Sequence, residues 1–244
     1  MASWHGPVRR LENHIADSAL SPAPFLGVLM LDTRFPRLPG DIGHPQSLPF
    51  PVRRWVVRSA SPQRVVRERA AGLLQPFIEA GRMLAGQGAA ALSTSCGFLA
   101  LYQQALQAAL PVPVWTSSLL KLAELPAGRA GVVTVDPAAL SADHLRAVGA
   151  DPATPVAGLA AGSLLQRTLI GDLPTLDAGA ARREVVAAAR RLQQAAPAIE
   201  HIVLECTNMP PYAAAVREAT GLAVHDITTL LAERWSALEL ARPS

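Results

Sequence analysis

Apolar residues fall along this chain in short continuous runs, separated by stretches whose apolar positions repeat at helical spacing. Residues 26–31, Leu-Gly-Val-Leu-Met-Leu, form one such run and stop at Asp32. An unbroken apolar run of this length predicts a strand of a parallel sheet, buried on both faces. Residues 34–51 hold Pro36, Pro39, Gly40, Gly43, Pro45, Pro49 and Pro51. That density of proline predicts a long irregular loop, the kind of segment that carries function. A strand over 52–57 follows, then one helix over 61–85, opened by Ser61-Pro62 and stopped by Gly86-Gln87-Gly88. Residues 89–93 are the next strand, running into Cys96; Phe98, Leu99, Tyr102, Leu106 and Leu110 then recur at helical spacing, closed by Pro111 and Pro113.

The remainder repeats this scheme. A short strand over 112–115 enters Thr116-Ser117-Ser118, where the serines read as helix caps for 119–125. A strand over 131–135 ends at Asp136, a helix starts at Ser141, and a looser stretch follows with Gly149, Pro152, Pro155, Gly158 and Gly162. The pattern then predicts a helix over 178–195, a strand over 199–204 running into Cys206, and a helix opened by Met209-Pro210-Pro211 and ended by Gly221. A strand over 222–224 and a helix over 227–240 close the chain. Alternating strands and helices of these lengths give an α/β fold with parallel sheets, whose ligands sit beyond the C-terminal ends of the strands.

The two cysteines stand at matching places, 96 and 206, an offset of 110 that also carries Leu92 onto Ile202, Tyr102 onto Tyr212, Leu106 onto Val216 and Val114 onto Val224. A second echo, at an offset of 104, sets Gly27–Asp32 beside Gly131–Asp136, each an apolar strand ending in Asp. The chain therefore reads as an internal duplication: residues 1–24 an N-terminal extension, 25–115 a first lobe with Cys96, 116–224 a second lobe with Cys206, and 225–244 a helix packing back on the first lobe. Two pseudo-symmetric lobes facing each other put two thiols on opposite sides of one cleft.

Composition narrows the partners. The formal charge is +3, with a single lysine and scattered arginines, so no nucleic-acid footprint is present. The apolar run at 26–31 is too short to span a bilayer, and residues 1–24 lack a signal-peptide core, which predicts a soluble, cytoplasmic protein. Two cysteines are too few for a disulfide scaffold, and no cysteine–histidine spacing suggests a metal. Asp41 and His44 in the proline-rich loop, His225, Tyr102 and Tyr212 read as structural residues.

A cysteine at a strand end, directly before a helix, meets backbone N–H groups and the positive end of the helix dipole, both of which favour the thiolate. Two thiols in mirrored positions suit a carbon acid held between them: one removes a proton, the other returns one to the opposite face. The charge built next to a carboxylate needs donors aimed at it, and Thr33, Ser95, Thr207, Asn208 and the N–H groups of Gly97 and Phe98 are of the right type.

The Ser-Cys-Gly-Phe of the first half, the Glu-Cys-Thr-Asn of the second and the Leu-Asp-Thr after the first strand resemble the aspartate/glutamate racemase superfamily. That superfamily includes hydantoin racemases, maleate isomerases and arylmalonate decarboxylases. The resemblance spans roughly residues 25–240. It implies an isomerase: a cofactor-independent racemase or epimerase of an amino acid or related carboxylic acid, with Cys96 and Cys206 as the acid/base pair. Asp32, Thr33, Ser95, Gly97, Phe98, Thr207 and Asn208 would be substrate-binding neighbours. It implies no cofactor or metal, a small-molecule partner, and a homodimer or higher homo-oligomer. Glutamate racemases usually carry Asn-Thr after the first cysteine and Thr-His after the second; Gly-Phe and Thr-Asn here point away from glutamate. A covalent-cysteine isomerase of the maleate isomerase type, and a two-lobed binding protein for a small acid, are the alternatives.

Overall fold

The computed structural model describes residues 23–241. Most of the expected N-terminal extension, with a short helix over 11–20, lies outside the described residues. Eight strands form two parallel sheets. The first holds β1 (Phe25–Leu31), β2 (Val52–Val57), β3 (Ala89–Thr94) and β4 (Val114–Trp115), ordered β2-β1-β3-β4. The second holds β5 (Ala130–Thr134), β6 (Val156–Gly158), β7 (His201–Leu204) and β8 (Ala223–His225), ordered β6-β5-β7-β8. The two orders are the same, so the sequence duplication corresponds to two lobes of one topology. Each cysteine stands two residues beyond the end of its lobe's third strand, β3 or β7.

Alternation along β1 divides the core. Leu26, Val28 and Met30 face one cluster, with Ile42, Ala91, Trp115 and the buried face of α7 (Ile227–Leu240), namely Ile227, Leu230, Leu231 and Trp235. Phe25, Leu29 and Leu31 face the main core, which continues into the second lobe. Side chains two apart share a face of a strand, so one strand serves both layers. Phe50 from the 34–51 loop stacks on Trp235 with ring centres 4.7 Å apart. The closing helix thus covers the first sheet.

Four helices flank the sheets near the cleft or behind it: α1 (Leu74–Gly86), α2 (Gln103–Ala109), α3 (Ala142–Ala147) and α4 (Leu164–Ile170). The long α5 (Ala178–Ala195) and α6 (Ala213–Thr220) follow, α6 ending at Gly221 in the left-handed region (φ 71°). The single helix expected over 61–85 is instead a short π-helical turn over Gln63–Arg67 followed by α1. Between them Arg69 (φ 53°), Ala70 (φ 55°) and Gly72 (φ 74°) leave the helical region. Tertiary contacts hold that break: the Tyr102 hydroxyl donates to the Ala70 carbonyl, and the Arg69 guanidinium donates to Ser141 at 3.0 Å and Asp143 at 2.9 Å in the other lobe. β6 and α4 have no counterpart in the sequence pattern. β6 is three residues long among glycines and prolines. The first N–H groups of α4 are satisfied from a distance, Leu164 and Leu165 each donating to the Glu184 carboxylate of α5 at 2.8 Å.

Candidate active site

The loops after β3 and β7 meet at the junction of the lobes. Ser95, Cys96, Gly97 and Phe98 from the first lobe, and Glu205, Cys206, Thr207 and Asn208 from the second, line one cavity. Leu31, Phe35, Pro62, Val66, Val135, Leu169 and Ile170 complete its wall, making it apolar except at the thiols and their neighbours. The cavity is small, about 30 Å³, room for a water or two. A groove of about 470 Å³ lined by Arg182, Arg183 and Arg190 is larger but open and far from the cysteines.

The two halves are bound together at this point by a buried hydrogen bond. Thr207 Oγ1 donates to the Ser95 carbonyl at 2.7 Å across the seam, and within the second lobe Ser118 Oγ donates to the Leu204 carbonyl at 2.7 Å. Ser95 Oγ in turn accepts from the Leu31 N–H at 2.8 Å. The serine and threonine beside the cysteines are therefore spent on holding the strand ends in register. Gly97 packs directly on Glu205: a Cβ at position 97 would stand 2.2 Å from the Glu205 carbonyl oxygen and 2.3 Å from Oε1. Phe98 points into the second lobe, edge-on to the His144 ring at 5.3 Å.

Cys206 is buried and Cys96 partly exposed. Helix starts and backbone N–H groups were expected to favour thiolates, but burial outweighs them in the resting protein. Burial pushes the Cys96 thiol up to about 12, with Glu205 adding to the rise and the N–H groups of Phe98 and Leu99 opposing it. Burial likewise raises Cys206 well above an ordinary thiol, Glu205 again adding and the Asn208 N–H opposing. An apolar wall disfavours the charged form more than two donors favour it. Cys206 Sγ donates to Asn208 Oδ1 at 3.5 Å.

Glu205 is fully buried, with its Oε2 accepting from the Thr134 hydroxyl at 2.7 Å and its Oε1 without a partner. Burial lifts its carboxyl to about 8; the Thr134 hydroxyl pulls against that, and the nearby Asp136 adds to it. Asp136 is itself paired with Arg67 at 2.6 Å. The 34–51 loop is tied over the cleft by Asp41, which accepts from Arg37 at 3.0 Å, from the Gly43 N–H at 2.7 Å and from the Asn208 amide. Arg37 also donates to Thr33 Oγ1 at 2.9 Å.

The structure thus brings Cys96, Cys206, Ser95, Gly97, Phe98, Thr207 and Asn208 together. Asp32 and Thr33 stand apart: Asp32 is exposed, its N–H bonded to the Ala60 carbonyl, and Thr33 supports Arg37. Asp226, at another strand end, caps α7. Sequence reasoning gave no role to Glu205, although a lone acid at the end of an apolar strand was the signal for it. Phe35 and Leu169 had no such signal, because only folding carries them to the cleft. Among the described residues, no group of three or more His, Cys, Asp or Glu could hold a metal ion, and no helix is long and apolar enough to cross a membrane.

No family model matches the chain. It is 29% identical over 222 residues to dimethylsulfoniopropionate lyase 7 of Emiliania huxleyi, a match covering 84% of this chain. The chain spans 64% of that relative's length, less than two thirds. Among solved structures it is similar to allantoin racemase from Klebsiella pneumoniae, at 19% identity and a TM-score of 0.60 over 89% of this chain and 88% of that one. It is also similar to arylmalonate decarboxylase, at 18% identity and a TM-score of 0.58 over 89% and 92%. With its two matching parallel sheets, the chain shares the two-lobed α/β fold of these racemase and decarboxylase structures.

Proposed function

We propose that the protein is a carbon-acid enzyme in which a thiolate of the Cys96–Cys206 pair removes the proton from the carbon next to a carboxylate. The observation that carries this reading is a small cavity, at the junction of two matching lobes, lined by both thiols. The pair supplies a base on one side and an acid on the other. The resting thiols are neutral, so substrate binding has to help ionise one of them, and proton transfer leaves an enediolate that needs donors around it. Two outcomes share that first step. Return of a proton by the opposite thiol inverts the centre, giving a racemase or epimerase. Departure of a group from the β-carbon with its bonding electron pair gives an acrylate instead.

The second outcome is favoured by two observations. The cavity wall includes Phe98 and Phe35, and the Phe35 ring already holds a cation, the Arg37 guanidinium 4.5 Å from its centre. An onium cation sits well against aromatic faces and lowers the pKa of a nearby thiol. The relatives named dimethylsulfoniopropionate lyases carry this feature in their substrate's name: a sulfonium on the β-carbon of a propionate. Loss of the α-proton to a thiolate, followed by cleavage of the C–S bond, would yield dimethyl sulfide and acrylate.

The test is proton NMR in deuterated water with dimethylsulfoniopropionate and with single enantiomers of small amino and hydroxy acids. Inversion lost in both Cys96→Ser and Cys206→Ser, and α-hydrogen exchange or acrylate formation lost in whichever of the two removes the base, is the expected result. Turnover that survives replacement of both cysteines overturns the reading.

A further inference from the structure

Glu205 is a buried acid that the two-thiol scheme does not use. Its Oε2 accepts from the Thr134 hydroxyl at 2.7 Å, which leaves the other oxygen as the open position for a carboxyl proton. That other oxygen, Oε1, is sealed from water and has no partner. It lies against Gly97, in the space that a side chain at 97 would fill, and both residues are among those that line the cavity shared by the thiols. A buried oxygen with no partner is costly when charged and, when protonated, is a donor waiting for an acceptor.

We propose that Glu205 works as a neutral carboxylic acid, donating from Oε1 to the negative charge that the reaction builds on the substrate carboxylate. This rests on the carbon-acid reading above. A buried acid kept neutral so that it can donate is a known solution to enolate stabilisation. The surroundings fit a neutral group. Asp136, two residues beyond β5, stands near it and is offset by Arg67, whereas Cys96 and Cys206 stand near it as uncharged thiols. Arg37 and Asp41 from the loop pair with each other. His144 behind Phe98 is held neutral by burial, its pKa lowered to about 4. With Glu205 titrating at about 8, the acid is mostly protonated at neutral pH.

The experiment compares wild type, Glu205→Gln and Glu205→Leu. For the wild type, log kcat/KM climbs with pH as thiolate forms and levels off near pH 8, where Glu205 loses its proton. Glu205→Gln keeps a weaker donor that cannot ionise: kcat/KM falls about tenfold and the profile keeps climbing through that region. Glu205→Leu has no donor and loses on the order of 10²–10³-fold, the usual cost of removing one oxyanion donor. A break that persists unchanged in Glu205→Gln, or a Glu205→Leu variant as active as wild type, overturns the proposal. Infrared difference spectra read the acid directly: a protonated-carboxyl band at pH 7 that vanishes in Glu205→Gln is expected, and its absence from the wild type refutes the neutral acid. That signal needs no turnover, so a protein that shows the band yet exchanges no α-hydrogen on any acid defeats the carbon-acid reading and leaves the protonation state standing.

Discussion

Replacing Gly97 by alanine tests how tightly the two lobes are joined at the thiols. The added methyl would stand 2.2 Å from the Glu205 carbonyl oxygen, and carbon–oxygen contacts below 3.0 Å are essentially never tolerated. A side-chain tip could rotate away, but this obstacle is backbone. The Glu205 N–H is bonded to the Val133 carbonyl at 2.9 Å, and the preceding Leu204 carbonyl accepts from Ser118 at 2.7 Å. Relief therefore requires the turn after β3 to retreat from the end of β7 by most of an ångström, pulling Phe98 off His144. Overpacking of a tight core costs about 1–3 kcal/mol, and with backbone on the far side the upper end applies. Urea unfolding of Gly97→Ala, read by tryptophan fluorescence, should show a loss of about 3 kcal/mol. Alkylation of Cys206 in the native state should become faster as the seam loosens. A variant within 0.5 kcal/mol of wild type, taken as roughly the size of an ordinary surface substitution, with unchanged thiol reactivity, would refute the claimed contact.

Three further outcomes follow from the same geometry. Because the folded Glu205 carboxyl titrates at about 8 against an ordinary 4.5, the native state holds a proton that the unfolded chain has lost. Its stabilising effect is complete below the lower value and gone above the higher one, with a slope of at most about 1.4 kcal/mol per pH unit; subtracting Glu205→Gln melts from wild-type melts should isolate that slope. Native-state alkylation by iodoacetamide should be slow for both cysteines at pH 7 and speed up toward pH 10, since burial keeps both thiols protonated; fast labelling at pH 7 would contradict that. Asp226→Ala removes a carboxylate that accepts from the N–H groups of Thr228 at 2.8 Å and Thr229 at 3.0 Å, and should cost about 1 kcal/mol by thermal unfolding, in line with other helix caps.

Much of this architecture was legible in the residues because parallel strands buried on both faces leave unbroken apolar runs. β1, β5 and β7 show as such, and α5 shows through the spacing of its apolar residues. The duplication located both thiols, since repeating lobes set matched cysteines at matching strand ends. What stayed hidden depends on distant partners. The break at Arg69 and Ala70 is held by Tyr102 and by Asp143 of the other lobe, and the start of α4 is capped by Glu184, so neither leaves a local mark. The thiol acidity was misjudged for the same reason. Backbone donors are visible from the strand–cysteine–helix order, whereas the desolvating wall is assembled from Phe35, Val66, Val135 and Leu169, which lie far apart along the chain.

One amide does two jobs at the mouth of the cleft. Asn208 takes the Cys206 proton's attention through its oxygen and grips Asp41 through its nitrogen, so the overhanging segment and the sulfur share a single swivel. A change that turns this amide therefore disturbs both contacts together, the one to the sulfur and the one to the overhanging segment.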